Sequence, residues 1–505
     1  MVHNKTSDSA TIVGRMLLKG KLKVITPLII GGGRSLYGDS NIIVLKDEAG
    51  RPYIPSSSIT GALKHAFEDY QYVGDETNYE ENKLWFWGGK YKVEKNGESV
   101  TYTCQSALVI ADIMISEDSK ALVRLRDGIK IDRKTGTVES SNKFDFEIVE
   151  PGISFNLEME VVIRKAFNDK IFRNIFDWIA VILSSGEFAL GARTGQGFGL
   201  CRLEDITTYE FNFNYENRDH VIAWLSRDPS AAQIEYDPAK VKVTLPFHPR
   251  FKTFRIEAVF AVKSALIVGS YPGDTQAPDK VHISSQNYEG SGEIAVVPGT
   301  SLRGAIRSRA ERIVKTLNGN SDVLNNLFGW VDSEKGSTAK PIRGKIRIKE
   351  KQIPQNTYRE EIQHRIQIDR FTGGVIDGAF FDSMPIWSKE NNDPMVTLDL
   401  EIKDFEDWEA GLMLLVLKDL WNGDLAVGGE KNVGRGVLQG LFAIISFDDR
   451  IIKMRQEGDN LLLHYQGNNP KWDDSIAELL EEKVASLIKH LEENNTSRKE
   501  VTSNA

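Results

Sequence analysis

The chain is poor in cysteine. Its 505 residues hold only Cys104 and Cys201, which excludes a disulfide scaffold and is expected of a reducing compartment. Its 8 histidines form no Cys/His cluster at zinc-site spacing, so a structural zinc is not expected. No stretch approaches the roughly 20 consecutive apolar residues of a membrane span. Met1-Val2-His3-Asn4-Lys5 opens without the apolar run of a signal peptide, and the expected location is cytoplasmic, with no membrane partner. Positive charge is not in excess either: 63 Lys and Arg stand against 72 Asp and Glu, a net charge of −9. A nucleic-acid partner would have to be met by a local basic groove on an otherwise acidic surface.

What is present is ordinary in bulk and unusual in arrangement. Hydrophobic residues make up 41% and charged residues 27%, as in soluble globular proteins, and the length implies more than one core. Three motifs occur twice, in the same order and at nearly constant offset. Pro55-Ser56-Ser57-Ser58-Ile59-Thr60-Gly61 returns as Pro298-Gly299-Thr300-Ser301-Leu302-Arg303-Gly304. Ile131-Asp132-Arg133-Lys134-Thr135-Gly136 returns as Ile368-Asp369-Arg370-Phe371-Thr372-Gly373. The glycine-rich run Gly191-Ala192-Arg193-Thr194-Gly195-Gln196-Gly197-Phe198-Gly199 returns as Gly428-Gly429-Glu430-Lys431-Asn432-Val433-Gly434-Arg435-Gly436. The period is far longer than that of solenoid repeats, so the chain reads as one domain duplicated.

The expected organisation is a flexible leader at 1–14, a first domain at 15–208, a connector at 209–250, a second domain at 251–447 and a tail at 448–505. Alternation predicts strands over Leu17–Ile30 and Phe254–Val268, with a second β-rich run at Asn41–Leu45. Pro55–Tyr70 reads as a loop entering a helix, and helical spacing predicts helices over Ile163–Leu183 and Trp408–Trp421, and a short one at Val221–Leu225. Each repeat thus runs strand, loop, helix, strands, helix, glycine loop, strand, an α+β plan of the ferredoxin-like type. Long polar stretches at about 85–160 and 330–400 read as functional insertions. An amphipathic helix in the tail, with Ile476, Leu480, Leu487 and Leu491 on its apolar stripe, either packs on the second domain or docks a partner.

Each motif admits a plain and a functional reading. Ser56, Ser57 and Ser58, and Thr300 and Ser301, sit at a helix start, where free amides and hydroxyls suit a phosphate; Lys64, Arg303 and Arg307 follow with positive charge. An ordinary capped helix is the alternative. The glycine loops, with Arg193, Gly195 and Gly197 in one and Lys431, Gly434 and Arg435 in the other, let backbone amides approach an anion. They follow a helix and precede a strand, which is the wrong order for a dinucleotide fingerprint. The Ile-Asp-Arg motif reads as a tight turn exposing Arg133 and Arg370, with a plain hairpin turn as the alternative.

With Leu84-Trp85-Phe86-Trp87-Gly88 and Leu327-Phe328-Gly329 added, the motif order resembles the RAMP superfamily of CRISPR-Cas proteins. It is most similar to the backbone subunits of type III effector complexes, and two such domains in one chain resemble the fused backbone proteins of subtype III-D variants. The resemblance implies two tandem RRM-like domains, each with an inserted thumb hairpin, that hold CRISPR RNA, kink its duplex with a target RNA, and contact other effector subunits, with no small-molecule substrate. It further implies an aspartate after the first strand that cleaves target RNA with a divalent metal, expected to be Mg²⁺. Asp39 matches that position in the first repeat. In the second, Asp279 and Asp274 compete, and Asp39 and Asp279 are the expected metal ligands. Two alternatives remain, a catalytically silent RNA-binding subunit and a guide-processing endoribonuclease. The latter class uses histidine, yet His65 has only Ser308 as its counterpart, and His282 only Ile42.

Overall fold

The computed structural model describes residues 10–31, 42–95, 98–132, 135, 137–213, 217–272, 276–290, 292–332, 340–390, 393–467, 469 and 471–503. It divides into two compact units. The first comprises residues up to Gly128, Phe144–Ala192 and Gly199–Arg250, and the second comprises Ile129–Lys143, Arg193–Phe198 and Phe251–Ala505.

In the first unit, β1 (Ile12–Val24) leads to α1 (Ser56–Glu68), β2 (Leu108–Ile110), β3 (Ser154–Arg164), α2 (Asp169–Ser184), β4 (Phe188–Ala189) and β5 (Leu200–Asn212). The sheet order is β4-β5-β1-β3-β2, antiparallel throughout, with Leu22 opposite Phe155 on one side and Leu203 on the other. Leu18, Leu22, Leu157, Met159 and Leu203 turn one face of the sheet inward. α1 covers that face with Ile59, Leu63 and Phe67, a one-turn spacing. α2 covers it with Ile171, Phe172, Ile175, Trp178 and Ile179. The Asn168 side chain accepts the amides of Lys170 and Ile171 and so fixes where α2 begins.

The second unit repeats the plan. β6 (Thr253–Val262), α3 (Gly299–Thr316), β7 (Ile346–Ile348), β8 (Val396–Lys403), α4 (Asp407–Asn422) and β9 (Leu438–Phe447) are followed by β10 (Arg450–Glu457), β11 (Asn460–Tyr465) and α5 (Asp474–Ser503). The order β7-β8-β6-β9-β10-β11 places the main strands as in the first unit, with the strand before the first helix in the centre. Both units are therefore the ferredoxin-like α+β fold read from the repeats.

Several boundaries move. The helix expected from Ile163 starts at Asp169, because Ile163 and Arg164 still pair with β1. Ile42, Val44 and Lys46 make only isolated bridges where a second strand was expected. The stretches read as insertions contain two strands of each sheet, and the added material is hairpins. The two long ones are Val123–Ile131 with Val138–Val149, and Gln363–Ile368 with Val375–Met384. α5 packs on α4, where a Cβ on Gly411 would run into the Lys483 carbonyl and where Lys483 Nζ meets Asp407 at 2.6 Å. Its apolar stripe is thus buried within the unit.

Segment 209–250 belongs to the first unit rather than spanning free. Its helix Arg218–Ser226 sets Ala223 and Trp224, and Ala232 just beyond, on Leu17 and Phe211, on the sheet face opposite the main helices. The Arg15 guanidinium lies 4.4 Å from the Trp224 ring centre. On the other side of the unit, Tyr236 Oη donates to the Asp177 carbonyl at 3.4 Å. Burial pushes the Asp177 carboxyl up to about 6. The folded state therefore holds this proton more tightly than the unfolded chain does, and stability falls as pH rises from about 4 to 6. Asp177→Asn should stabilise the protein by about 1–3 kcal/mol at pH 7.5, seen as a higher midpoint in thermal unfolding. The gain should vanish below about pH 4, where both forms are neutral.

Candidate nucleic-acid interface

The duplicated motifs take the same backbone conformation twice. Gly191, Gly197 and Gly199 have φ of 83°, 90° and 77°; Gly428, Gly434 and Gly436 have 78°, 82° and 75°. Arg193 and Glu430, at matched positions, are both left-handed at 59° and 56°. In each loop the last glycine amide donates 2.8 Å to a carbonyl just after the first strand, Pro27 in one and Ala265 in the other. Glycine density here answers first to close backbone packing.

The basic residues that follow the helix starts are turned inward. Lys64 Nζ donates to the Gly88 carbonyl at 3.1 Å, and Arg307, its counterpart, donates to the Gly329 carbonyl at 3.2 Å. The first helix of each repeat is thereby fastened to the Trp-Gly or Phe-Gly motif. Arg303 donates to the carbonyls of Gly195, Ile346 and Phe328 at 3.1, 2.5 and 2.9 Å, and burial lowers its pKa to about 10, with the Arg307 charge adding to the shift. Within the second unit, Gly197 lies against Ile348 and Glu350, and Gly299 against Gln196 and Ile348, so Gly197 and the residue opening α3 are covered. Thr300 and Ser301 are half-buried; Ser301 N–H bonds the Pro298 carbonyl. At α1 the Ser56 amide donates 2.8 Å to Asp112 Oδ1, so a carboxylate already sits at that helix start; Ser57 is exposed and Ser58 half-buried. Lys64, Arg303 and Arg307 thus each bond backbone carbonyls of the fold, a plainer use than the phosphate role read from sequence.

The loop Lys431–Gly434 is exposed, and a Cβ on Gly434 would meet nothing. Partial burial, with a smaller contribution from the neighbouring Arg312 charge, holds the Lys431 ammonium below the usual lysine range. Behind the loop, Glu430 binds Lys280 at 3.2 Å, Arg365 at 2.9 Å and Arg435 at 2.6 Å. Three cations meet one carboxylate, which leaves net positive charge. Arg435, also bonded to Gln363 and Ser383, is buried and acts as a brace.

That network joins the glycine loop to the strand Lys280–His282 and to the base of the hairpin 363–384. Lys280 pairs with Ser383 in parallel register. Next to it, exposed Asp279 accepts the Asp382 amide at 3.0 Å. On the hairpin's other strand, His364 Nδ1 lies 2.6 Å from Asp382 Oδ1. His282 is different: buried between the Val268 amide and the Val296 carbonyl, its pKa falls to about 4, mainly through burial, and it is a neutral core residue. Asp39, Asp274 and Arg133 lie outside the described residues.

The Ile-Asp-Arg motif closes the tip of each long hairpin. Asp132 Oδ1 accepts the Thr135 amide at 2.8 Å. Asp369 Oδ1 accepts the amides of Phe371 and Thr372, each at 2.8 Å, and these bonds hold its carboxyl below the usual range. The aspartate builds the turn, which leaves Arg370 exposed and Phe371 99% exposed. Phe371 fills the variable position of its motif, and His364 and Asp382 lie in no motif, so sequence reasoning passed over all three. One signal was available, since Asp145 stands at the same distance after Ile131 as Asp382 after Ile368.

Among the described residues no three His, Cys, Asp or Glu side chains are grouped to hold a metal ion, and no helix is long and apolar enough to cross a membrane. A family model described as the RAMP superfamily matches residues 21–202 and 262–439, one span in each repeat and well over half the chain together. No curated protein matches the sequence at a significant level.

Proposed function

Because this chain belongs to the RAMP superfamily, which is associated with CRISPR-Cas RNA binding, we propose that it is a backbone subunit of a type III RNA-guided effector complex. In this reading it holds CRISPR RNA across two adjacent segments, contacts neighbouring effector subunits and cleaves complementary target RNA beside each hairpin. The observation that carries the proposal is the meeting, in the second unit, of an exposed aspartate, a cationic glycine loop and a long hairpin with an apolar tip.

The physical roles follow. RRM domains in general stack bases on their open sheet face; in the first unit Trp224 and its neighbours already cover that face. In that unit RNA contact would therefore pass to the loops and hairpins. Lys431 and Arg312 offer charge to a phosphate. Phe371, with Arg370 beside it, suits a wedge that unstacks one step of a duplex. Asp279, anchored through the Asp382 amide, would hold Mg²⁺ jointly with phosphate oxygens, as would Asp39 in the first repeat. Mg²⁺ commonly takes only one or two protein carboxylates beside substrate phosphates, so the lack of a three-residue cage among the described residues is compatible with it. The bound cation would neutralise charge developing on the phosphate.

The binding half of the proposal is tested by RNA affinity as a function of salt. Lys431→Ala with Arg312→Ala should weaken guide RNA binding irrespective of sequence and reduce the salt slope by about 1–2. An unchanged slope would remove this loop from the interface.

A further inference from the structure

We propose that His364, oriented by Asp382, is the general acid for cleavage at the second repeat; this rests on the nuclease reading above and adds a residue to it. His364 and Asp382 are directly opposed partners across the hairpin. At a Nδ1–Oδ1 separation of 2.6 Å an ionised Asp382 accepts a hydrogen bond from Nδ1–H, which leaves Nε2 as the nitrogen for a ligand. The ring lies against Phe380, with centroids 5.7 Å apart and an 18° interplanar angle, and its side chain is 64% exposed. The imidazole is thus fixed on two sides and open on a third.

Asp279 stands across the same strand. Its carboxylate takes the backbone amide of the residue whose side chain orients His364. Two strand spacings, roughly 10 Å, separate the two backbones, with the strand Val375–Met384 between them, so a phosphodiester that met both groups would lie over that strand. The salt-bridged network of Lys280, Arg365, Arg435 and Glu430 holds the strands on both sides.

The step balances as follows. The target 2′-oxygen attacks the adjacent phosphorus, its proton leaving to water. The P–O5′ bond breaks, and the Nε2 proton of the imidazolium passes to the departing 5′-oxygen. The products are a 2′,3′-cyclic phosphate and a 5′-hydroxyl, and solvent reprotonates the imidazole. Asp382 holds the ring through Nδ1 during the transfer.

The first repeat supplies a control. Asp127 stands four residues before Ile131, as His364 stands before Ile368, so the first repeat has no imidazole at this place.

The experiment uses the assembled complex with guide RNA and two targets: ordinary RNA, and RNA with sulfur in place of the bridging 5′-oxygen at the second repeat's cut. A thiolate leaves without protonation. His364→Gln should slow the second cut of ordinary RNA by on the order of 10²-fold. It should leave target binding and the first cut unchanged and cut the sulfur substrate within a few-fold of wild type. Asp382→Asn should show the same pattern more weakly. Normal cutting of ordinary RNA by His364→Gln, or equal losses on both substrates, overturns the assignment while leaving the nuclease reading intact. A wild-type complex that makes no second cut on either substrate defeats the nuclease reading itself, and the assignment with it.

Discussion

Gly436→Ala should destabilise the second unit by about 3–5 kcal/mol, lowering its unfolding midpoint by roughly 10 °C or more. Gly436 has φ 75°, a conformation costing an alanine about 1–2 kcal/mol. A Cβ there would overlap the Val427 carbonyl oxygen and press on the rest of that peptide group. Val427 cannot yield easily, because its amide bonds the Gly436 carbonyl while the Gly436 amide bonds Ala265. The clash therefore opens the junction between the glycine loop and β9. Gly199→Ala should behave alike in the first unit, where φ is 77° and Leu190 takes the place of Val427. Gly434→Ala, with open space around its Cβ position, bears only the backbone cost of about 1–2 kcal/mol. Thermal unfolding of the three variants ranks Gly436 and Gly199 well below Gly434; equal midpoints would contradict the packing account.

Asp279→Ala should abolish cleavage at the second repeat, with a rate loss on the order of 10²–10⁴-fold, and leave guide and target binding unchanged. Asp279 is exposed, and its one protein bond described in the structure is to the Asp382 amide, so its removal costs little stability. The site would remain able to hold the kinked RNA but without the carboxylate that positions charge at the phosphate. Single-turnover rates on labelled target RNA, measured beside binding isotherms, separate loss of chemistry from loss of affinity.

The doubled motifs made the fold legible. Apolar alternation in β1 and β6 and helical spacing in α2 and α4 gave the sheet and the helices that cover it, and the repeat gave the number of units. The roles of single charged residues were less legible. Lys64 and Arg307 share a motif and a spacing, and both keep them in order to bind a glycine carbonyl. Sequence cannot separate that use from phosphate binding, because either reading is served by a cation at the same place on the helix, about two and a half turns beyond the cap. Nor does a motif mark residues that meet only through strand pairing. Asp279, His364 and Asp382 converge because Lys280 pairs with Ser383 and His364 with Asp382, a register set by the whole hairpin. The Ile-Asp-Arg repeat kept its plainer reading as a turn, and its site value passed to Arg370 and to Phe371, the residue the motif leaves free.

The central claim is that two RNA-holding domains each place one cleavage beside a hairpin. Cut positions on a labelled target RNA, mapped with the assembled complex for wild type, Asp39→Ala and Asp279→Ala, test it most directly. The account predicts two cuts at a fixed spacing in the wild type, with Asp39→Ala losing one, Asp279→Ala losing the other, and the double variant still binding but cutting at neither. Both cuts persisting undiminished in the double variant would contradict it.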